Sequence, residues 1–465
     1  MNDNNLGIYI HIPFCVKKCN YCDFNSASFS DEIKNRYIDA LCEEIKFRSV
    51  CFSDRKIDTV FMGGGTPSIL LPEQTGRIFD CLRSFFDIKD NAEITIETNP
   101  GTLDKDKLKA YRSFGVNRLS MGLQSFNDNE LKVLGRIHNE KDFLDSFNNA
   151  REEGFKNINV DLMSAIPLQT LSSFESNLLK IKKLSPEHVS IYSLIIEENT
   201  PFYDMKLDLP TEEDEREMVH MIPDVLTGYS QYEISNYAKK GYECRHNIKY
   251  WKRDEYLGFG LSSASLIKDG CFGSKDLNFL FSHITANSKI KAVNTDIFDA
   301  DSYNNDTDEN NKTVNGHNKT ANGNNKTASG HNKTTNGNNK TANEDNEYRF
   351  KNIPDINKYM DFYLNEKIND SSKDEFYLKK SEIFEEYEVL KQEDKISEYI
   401  ILGLRMNEGI NLAEFEKLFG KSIFEIYQNV INKHENEGLL YIDERNMKLT
   451  EKGRDLANYV WSDFI

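Results

Sequence analysis

YIHIPFCVKKCNYCDF, residues 9–24, is the stretch that decides the fold. Together with Gly7 and Ile8, its first residues form a short apolar run that predicts a strand over residues 7–12. Three cysteines follow, Cys15, Cys19 and Cys22, with the spacing C-x3-C-x2-C. Because thiols stay reduced in a cytosol, a cluster this tight predicts a metal centre rather than disulfides.

The spacing of these cysteines favours an iron–sulfur cluster. Three thiolates on one loop can hold three irons of a [4Fe-4S] cluster and leave the fourth iron without a protein ligand. An open iron can take a small chelating molecule. Zinc is the alternative, but it prefers four closed nitrogen or sulfur ligands, so His11 or a distant cysteine would have to complete the set.

Downstream of the cysteines, apolar runs alternate with amphipathic stretches, which is the pattern of βα units around a parallel sheet. The predicted strands are residues 7–12, 59–62, 93–98, 118–121, 158–162 and 188–196, and the predicted helices are residues 31–47, 72–86, 105–114, 141–153 and 172–184. About six such repeats favour a barrel over a sandwich. We therefore predict an α/β fold, a partial (β/α)6 TIM-like barrel.

Polar or glycine-rich turns follow several of the predicted strands. The run Gly63-Gly64-Gly65-Thr66 lacks the Gly-Lys-Ser/Thr of a phosphate loop, and its glycines let the main chain approach a ligand closely. The polar residues at the other strand ends are Glu97, Gln124, Arg136 and Asp161. Each alone is equally well explained as a cap or turn residue. In a βα barrel, however, functional groups gather at the carboxyl ends of the strands, so we predict one shared site.

Length and charge exclude some classes of protein. A chain of 465 residues has room for two or three domains. Its 76 acidic and 58 basic side chains give a net charge of -18, which argues against a general nucleic-acid binder. No apolar run approaches the roughly 20 residues that span a bilayer, and the N-terminus lacks the order of a signal peptide. The expectation is a soluble, cytoplasmic protein.

An abrupt change of composition marks an insertion. Asn, Lys, Thr and Gly dominate from about residue 300, in a seven-residue repeat that begins at Asn311, Asn318, Asn325, Asn332 and Asn339. No position of the repeat is apolar, so a coiled coil has no seam to bury. We predict a disordered insertion over residues 300–347, between a core of residues 1–290 and a domain of residues 348–465.

The C-terminal domain is predicted to be mostly helical and winged-helix-like. Residues 353–395 have a helical, acidic pattern. Helices are then predicted at 396–406, 412–419 and 422–437, and a two-stranded wing at 439–442 and 448–450. From residue 350 onward, 16 basic and 24 acidic residues give a net charge of -8, which favours packing or partner docking over DNA binding.

The cysteine motif, with the aromatic Tyr21 before its last cysteine, resembles the radical S-adenosylmethionine (SAM) superfamily. The words YIHIPFC, GGGTPS and GLQSF narrow the resemblance to the oxygen-independent coproporphyrinogen III oxidase group of porphyrin biosynthesis, over residues 7–267 and again from residue 397 to the end. The resemblance implies a [4Fe-4S] cluster on Cys15, Cys19 and Cys22, with SAM chelating the open iron. By matching positions, the residues implied to line the SAM site are Tyr9, Tyr21, Gly64, Gly65, Thr66, Glu97, Gln124, Arg136 and Asp161.

Two details distinguish the oxidases of this group from its heme chaperone branch. The pattern of the oxidases has a fourth cysteine, C-x3-C-x2-C-x-C. This chain has Phe24 at the position of that cysteine, and in this it resembles the chaperone branch. The run HNIKYW, residues 246–251, resembles a motif associated with heme binding in the chaperone branch, which implies His246 as a heme ligand. An imidazole beside two aromatic residues offers an axial nitrogen and flat apolar faces. Without the resemblance, core packing is the more frequent role of such a histidine.

The function implied by the resemblance is a heme chaperone that hands heme to an acceptor protein, for which a membrane respiratory enzyme is the family-level expectation. Two alternatives stay open: a coproporphyrinogen III oxidase that decarboxylates two propionates, and a structural zinc protein with a winged-helix module. The sequence names no catalytic residue. It also leaves open whether SAM is cleaved, whether heme is bound covalently and whether the chain forms a homodimer.

Overall fold

The computed structural model describes residues 4–52, 54–268, 346–365 and 384–465. Nearly all of the predicted insertion, residues 300–345, lies outside the described residues, and so does Cys271.

One large sheet organises the described part of the chain. Its strands are β1 (Asn5–Ile12), β2 (Lys56–Gly64), β3 (Asp87–Thr98), β4 (Arg118–Gln124), β5 (Ile158–Ser164), β6 (His188–Ser193), β7 (Ser230–Glu233), β8 (Asn236–Ala238), β9 (Tyr256–Phe259), β10 (Ala264–Lys268), β11 (Glu347–Asn352) and β12 (Phe384–Val389). They lie in the order β12-β11-β10-β9-β1-β2-β3-β4-β5-β6-β8-β7. Strands β9 and β1 to β6 are parallel, and the outer strands at both ends are antiparallel. The carboxyl ends of β1 to β6 therefore meet at one edge.

Helices connect the parallel strands and continue into the C-terminal region. They are α1 (Asp31–Ser49), α2 (Pro72–Phe85), α3 (Lys105–Ser113), α4 (Asp128–Val133), α5 (Glu140–Glu152), α6 (Leu171–Leu184), α7 (Glu212–Val225), α8 (Arg245–Trp251), α9 (Ile356–Asn365), α10 (Gln392–Arg405), α11 (Leu412–Phe419), α12 (Ile423–Asn436), α13 (Glu451–Asp455) and α14 (Ala457–Ser462). Polar side chains cap many of them. Asn139 before α5, for example, accepts a hydrogen bond from the Asp142 amide at 3.0 Å.

Strand β1 shows how the sequence sets the layers of the barrel. Leu6, Ile8, Ile10 and Ile12 alternate along it and are fully buried in the core that also contains residues of α1. Residues between them, such as Tyr9, lie on the opposite face of the sheet because successive side chains of a strand alternate. The helices therefore cover the apolar face, and the polar face lines the barrel interior.

The predicted barrel and wing are confirmed. All six predicted strands correspond to β1 to β6, and the five predicted helices to α1, α2, α3, α5 and α6. Downstream, α10, α11 and α12 pack around their own apolar core with a small sheet of β13 (Ile410–Asn411), β15 (Asn446–Leu449) and β14 (Leu440–Ile442). This is the predicted winged-helix-like arrangement.

The helical prediction for residues 353–395 is wrong at β12. Residues Phe384–Val389 pair antiparallel with β11, in which Tyr348, Phe350 and Asn352 are buried at alternate positions. Pairing with this amphipathic neighbour overrides the helical preference of the glutamates in β12. In the described part of the chain, no helix has the length and apolarity that a membrane span requires.

Candidate functional site

The loop that carries the three cysteines is closed at its base by strand-like pairing. Phe14 and Ala27 form a parallel bridge. The Cys15 amide donates to the Ala27 carbonyl at 2.9 Å, and the Ala27 amide donates to the Pro13 carbonyl at 3.0 Å. The chain therefore leaves β1, presents the cysteines and returns to the same place before α1 begins.

The tip of this loop is anchored to the segment after β4. The Asn20 amide donates to the Leu134 carbonyl at 3.0 Å, and its side-chain amide donates to the Val133 carbonyl at 2.8 Å. Gly135 makes the approach possible, because it has a φ of +77° and a Cβ there would lie 3.0 Å from the Asn20 side chain. The base and the tip of the loop are thus both fixed by hydrogen bonds to main-chain carbonyls.

The three thiols are close enough to influence one another. Burial raises the pKa of the Cys22 thiol to about 11, and Cys19 and Cys15 contribute to the rise. All three residues are partly exposed. Among the described residues, no group of three or more His, Cys, Asp or Glu side chains is arranged to hold a single metal ion. A set of three soft thiol donors on one loop fits an iron–sulfur cluster.

A chain of polar contacts connects two of the cysteines across the strand ends. The Cys15 thiol lies 3.6 Å from the Thr66 hydroxyl, which accepts from Asn99 Nδ2 at 2.9 Å. Asn99 Oδ1 in turn accepts from Arg136 Nη2 at 2.7 Å, and Arg136 Nη1 donates to the Cys19 thiol at 3.5 Å. Residues from the ends of β1, β2, β3 and β4 therefore act as one connected unit.

The glycine run after β2 brings two strand ends together. Gly64 has a φ of +108°, and a Cβ there would lie 2.6 Å from the His11 ring. The Gly65 amide donates to the Ile12 carbonyl at 2.8 Å, and the Thr66 amide donates to the Phe14 carbonyl at 2.8 Å. The sequence predicted a close approach of this main chain to a ligand, and the structure shows a close approach to β1.

Two carboxyl groups lie inside the barrel. Glu97 accepts a hydrogen bond from the Gly64 amide at 3.0 Å, and Asp161 accepts one from Asn159 Nδ2 at 2.7 Å. Burial, together with the charge of Asp161, raises the pKa of Glu97 to about 8. Burial also raises the pKa of Asp161, although hydrogen bonds from Asn159 and Ser190 oppose the rise. Two buried carboxyl groups in this arrangement favour a ligand that places a hydrogen-bond donor or a cationic group next to them.

The Tyr9 hydroxyl belongs to a hydrogen-bonded series along the strand end. His11 Nε2 lies 3.0 Å from the Asn25 carbonyl, which can only accept, so Nε2 carries the proton. His11 Nδ1 then accepts from the Tyr9 hydroxyl at 3.0 Å. Burial, followed by the charge of Glu97, raises the pKa of Tyr9 well above its usual range. Tyr9 is therefore a neutral phenol next to the acid pair.

A bulge at the end of β4 orients Gln124. The register against β5 shifts between Gly122 and Gln124, and Gln124 has a φ of +72°. Its Oε1 accepts from the Tyr192 hydroxyl at 3.0 Å. Burial raises the pKa of the nearby Tyr21 phenol, and the Arg136 guanidinium opposes this rise. The two tyrosines and Gln124 thus adjoin the polar chain of Arg136.

A pocket next to the cysteine loop contains a residue that the sequence did not point out. It is lined by Cys19, Thr66, Asn99, Arg136 and His138, with Val16, Lys17, Ile69, Thr102, Gly135 and Ile137. His138 is buried, its Nε2 lies 3.1 Å from the Leu123 carbonyl, and its Nδ1 has no hydrogen-bond partner among the described residues. Burial and the charge of Arg136 lower the pKa of His138 to about 4, which leaves the ring neutral with Nδ1 as an acceptor.

His246 lies at the other end of the strands. Its side chain is fully buried, with Nδ1 2.8 Å from the Thr59 hydroxyl and Nε2 2.7 Å from the Tyr250 hydroxyl. Its ring stacks on Phe61 at 5.3 Å, and burial lowers its pKa to about 3. Both ring nitrogens are occupied, so ligation of a heme iron requires one of these hydrogen bonds to break.

The structure therefore brings most of the predicted residues together. Cys15, Cys19, Thr66 and Arg136 are joined by direct contacts or by one bridging residue, and Gly64 connects them to Glu97. Tyr9, Tyr21, Gln124 and Asp161 surround this group, and the ring of Phe61 lies between Tyr9 and His246. Sequence reasoning missed Asn99 and His138. Asn99 directly follows a predicted strand, which was the one signal that pointed to it.

Comparisons with known proteins agree with this geometry. The family model of the radical SAM superfamily matches residues 9–181, and the model of the HemN C-terminal domain matches residues 390–456. Among solved structures, coproporphyrinogen III oxidase (HemN) from Escherichia coli, described as a radical SAM enzyme, superposes with a TM-score of 0.70 at 22% identity. The match covers 99% of this chain and 89% of that one, and it shows the fold.

Curated relatives identify the family. The heme chaperone HemW of Bacillus subtilis is 30% identical over 464 residues, which are 98% of each chain. The heme chaperone HemW of Haemophilus influenzae is 41% identical over 294 residues, 62% of this chain and 74% of that one. The radical SAM domain implies a [4Fe-4S] cluster and SAM as cofactors. With a full-length relative at this identity, the chain belongs to the HemW heme chaperone family of radical SAM proteins.

Proposed function

We propose that this protein binds a [4Fe-4S] cluster on Cys15, Cys19 and Cys22, binds SAM next to it, and carries heme to an acceptor protein. The observation that carries the cofactor part is the polar chain from Cys15 through Thr66, Asn99 and Arg136 to Cys19. The heme part rests on membership in the HemW family.

The residues of the chain itself have separable roles in this proposal. Arg136 places a guanidinium 3.5 Å from the Cys19 sulfur, where it offsets the negative charge of a thiolate-bound cluster. Glu97 and Asp161 would accept hydrogen bonds from hydroxyl or ammonium groups of SAM. When bound, the cluster and SAM would together supply reductive radical chemistry.

The absence of a fourth cysteine supports the chaperone over the oxidase. Phe24 occupies the position of that cysteine, and its side chain is exposed on the cysteine loop. The oxidase would also need groups that bind the propionates of coproporphyrinogen III. Decarboxylation of coproporphyrinogen III is therefore the second candidate, supported by the fold match to HemN alone.

For heme we propose His246 Nε2 as the atom that would bind the iron. Metal-binding histidines generally use their other ring nitrogen to hold the ring in place, and the Thr59 hydroxyl is suitably placed for this at 2.8 Å from Nδ1. Tyr250 occupies Nε2 at 2.7 Å in the structure and has to leave. Heme binding would then compete with one internal hydrogen bond of helix α8.

A hemin titration of the anaerobically reconstituted protein, followed by Soret absorbance, tests this proposal. We expect saturable one-to-one binding that His246→Ala weakens strongly. Tyr250→Phe keeps the ring and removes the competing hydroxyl. A net hydrogen bond is worth about 1 kcal/mol, so this variant should bind roughly fivefold tighter. Binding that is equal in all three proteins would contradict His246 as the ligand, and turnover of coproporphyrinogen III with SAM would favour the oxidase.

Iron and sulfide contents of the same preparations test the cluster separately. Wild type should hold four irons and four labile sulfides per chain, as a [4Fe-4S] cluster requires. Cys19→Ala should lose both. Cys81→Ser, a partly exposed cysteine outside the loop, is the matched control and should retain them. A zinc content without labile sulfide would refute the cluster without bearing on hemin binding.

A further inference from the structure

Two cysteines outside the cluster loop lie side by side on the outer surface of the barrel. Cys42 is on α1 and Cys81 on α2, and both are partly exposed. The Cys81 thiol donates to the Cys42 carbonyl at 3.4 Å, and the Cys42 thiol lies 3.9 Å from the Arg77 carbonyl. No role in the proposed cofactor site involves either residue.

The pair is the third step in a regular series of contacts between these helices. Gln74 Nε2 donates to Asn35 Oδ1 at 2.8 Å, and one turn further Arg77 pairs with Asp39. Cys42 and Cys81 follow after another three and four residues, which is the spacing of one helix face. Because the two helices contact each other at successive turns of this face, the side chains of Cys42 and Cys81 are held next to each other.

The surroundings give the two thiols different chemical character. The neighbouring Cys81 side chain, with the Arg77 guanidinium, lowers the pKa of Cys42, and burial opposes this. The Cys42 side chain, with burial, raises the pKa of Cys81. Cys42 is thus the thiol that ionises first. This is the arrangement of an attacking and a resolving cysteine.

We propose that Cys42 and Cys81 form a reversible intramolecular disulfide, a thiol–disulfide site separate from the cluster. With a small disulfide such as oxidised glutathione, the Cys42 thiolate attacks one sulfur and releases one glutathione thiolate. The Cys81 thiolate then attacks the mixed disulfide at Cys42 and releases the second. The two protein thiols lose two electrons in total, and one oxidised glutathione becomes two reduced glutathiones.

The bond would join the first two βα units of the barrel. Helix α1 follows the cysteine loop and α2 follows the glycine run, and these two segments meet where Cys15 contacts Thr66 at 3.6 Å. A disulfide that closes a long loop restricts the unfolded chain, so the oxidised protein should unfold at a higher temperature.

Peptide mapping of the anaerobically prepared full chain, treated with oxidised glutathione and then alkylated, tests the proposal. Trypsin releases Cys42 in the peptide of residues 37–46 and Cys81 in the peptide of residues 78–83. We expect these two peptides to appear disulfide-linked in monomeric protein and to separate after reduction. The fully buried Cys244, in the peptide of residues 241–245, is the internal control and should be found unlinked.

Single variants make the result unambiguous. In Cys81→Ser the reaction should stop at a glutathione adduct on Cys42, whereas in Cys42→Ser the adduct on Cys81 should form at least about tenfold more slowly. The rise in unfolding temperature on oxidation should be present in wild type and absent from both variants. Separate glutathione adducts on the two cysteines of wild type, or linked peptides found in covalent dimers alone, would overturn the proposal.

Discussion

At the scale of single residues, burial makes the ionised form of Glu97 unfavourable, and a ligand that donates hydrogen bonds or carries positive charge would stabilise that form. Its carboxyl group lies inside the barrel, one hydrogen bond from Gly64 and near the second acid, Asp161. The pKa of about 8, against an ordinary value of 4.5, means that the folded protein binds this proton more tightly than the unfolded chain does. Between these two values the stability of the ligand-free protein therefore falls as pH rises.

Glu97→Gln should stabilise the ligand-free protein at high pH. Glutamine keeps the shape of the side chain but cannot ionise, so the gain over wild type should be near zero at pH 4.5 and should reach a few degrees of unfolding temperature at pH 8.5. Thermal unfolding of both proteins at the two pH values measures this. Glu73→Gln, on the exposed surface of α2, is the control and should show no such pH dependence. An equal gain at both pH values would mean that packing, not charge, causes it.

The residues of the site differ in how well the sequence predicted them. Cys15, Cys19 and Cys22 have a spacing that by itself indicates a metal centre, and the glycine run and Glu97 follow predicted strands. Asn99 and His138 lie in turns where a single polar side chain has no pattern around it. Their roles depend on distances between segments remote in sequence, such as Asn99 to Arg136 at 2.7 Å, which no local pattern contains.

At the scale of elements, helix α8 is held from two sides. The Glu93 carboxylate accepts from the amides of Arg245 and His246 at 3.1 and 3.0 Å and so caps the start of the helix. On the other side, the Arg405 guanidinium of α10 lies 4.4 Å from the Trp251 ring centre. Arg253, just after the helix, pairs with Glu398 of α10 at 2.9 Å. Movement of α8 that exposes His246 therefore has to break contacts with α10.

Weakening the contacts between α8 and α10 should speed hemin binding if His246 is the ligand. Arg405→Gln removes the cation–π contact with Trp251 and the ion pair with Glu233. A partly buried cation–π contact is worth about 1 kcal/mol, so the association rate should rise roughly fivefold. Stopped-flow Soret absorbance measures the rate. Arg445→Gln, in the exposed turn between β14 and β15, makes the same charge change and should leave the rate as in wild type. A slower or unchanged association rate in Arg405→Gln would show that movement of α8 does not control heme entry.

The elements themselves were predictable where their pattern was strong. Strands β1 to β6 carry continuous apolar runs or clear alternation, and the helices between them have regular apolar stripes. Strands β7 to β10 are three to five residues long, and β7 (Ser230–Glu233) consists largely of polar residues. Such short strands are stabilised by their neighbours in the sheet, which a single sequence does not reveal.

At the scale of the whole molecule, segments far apart in the chain complete the same sheet. Strands β10 and β11 pair antiparallel with Lys268 opposite Glu347, so the chain leaves and re-enters the sheet at neighbouring positions. After β11, Asn352 Nδ2 donates to the Glu44 carboxylate of α1 at 2.8 Å, and Glu44 pairs with Arg48 at 2.8 Å in the core. The residues after the insertion are therefore built into the barrel.

Deleting residues 306–345 should leave this architecture intact. The two ends of the connection are already adjacent, and halving the length of a closed loop changes its closure free energy by about 0.6 kcal/mol. We expect the shortened protein to bind the cluster and hemin as wild type does, with an equal or slightly higher midpoint in urea. A large loss of cluster content or of stability would show that the Asn-rich segment contributes contacts of its own.

The closed base of the cysteine loop has a consequence for the supply of iron. Small zinc domains fold around their metal and unfold without it. Here the pairing of Phe14 with Ala27, and of Asn20 with Leu134, depends on main-chain hydrogen bonds alone. We therefore expect the polypeptide to fold before the cluster is delivered, so that a shortage of iron limits loading of the protein and not its folding.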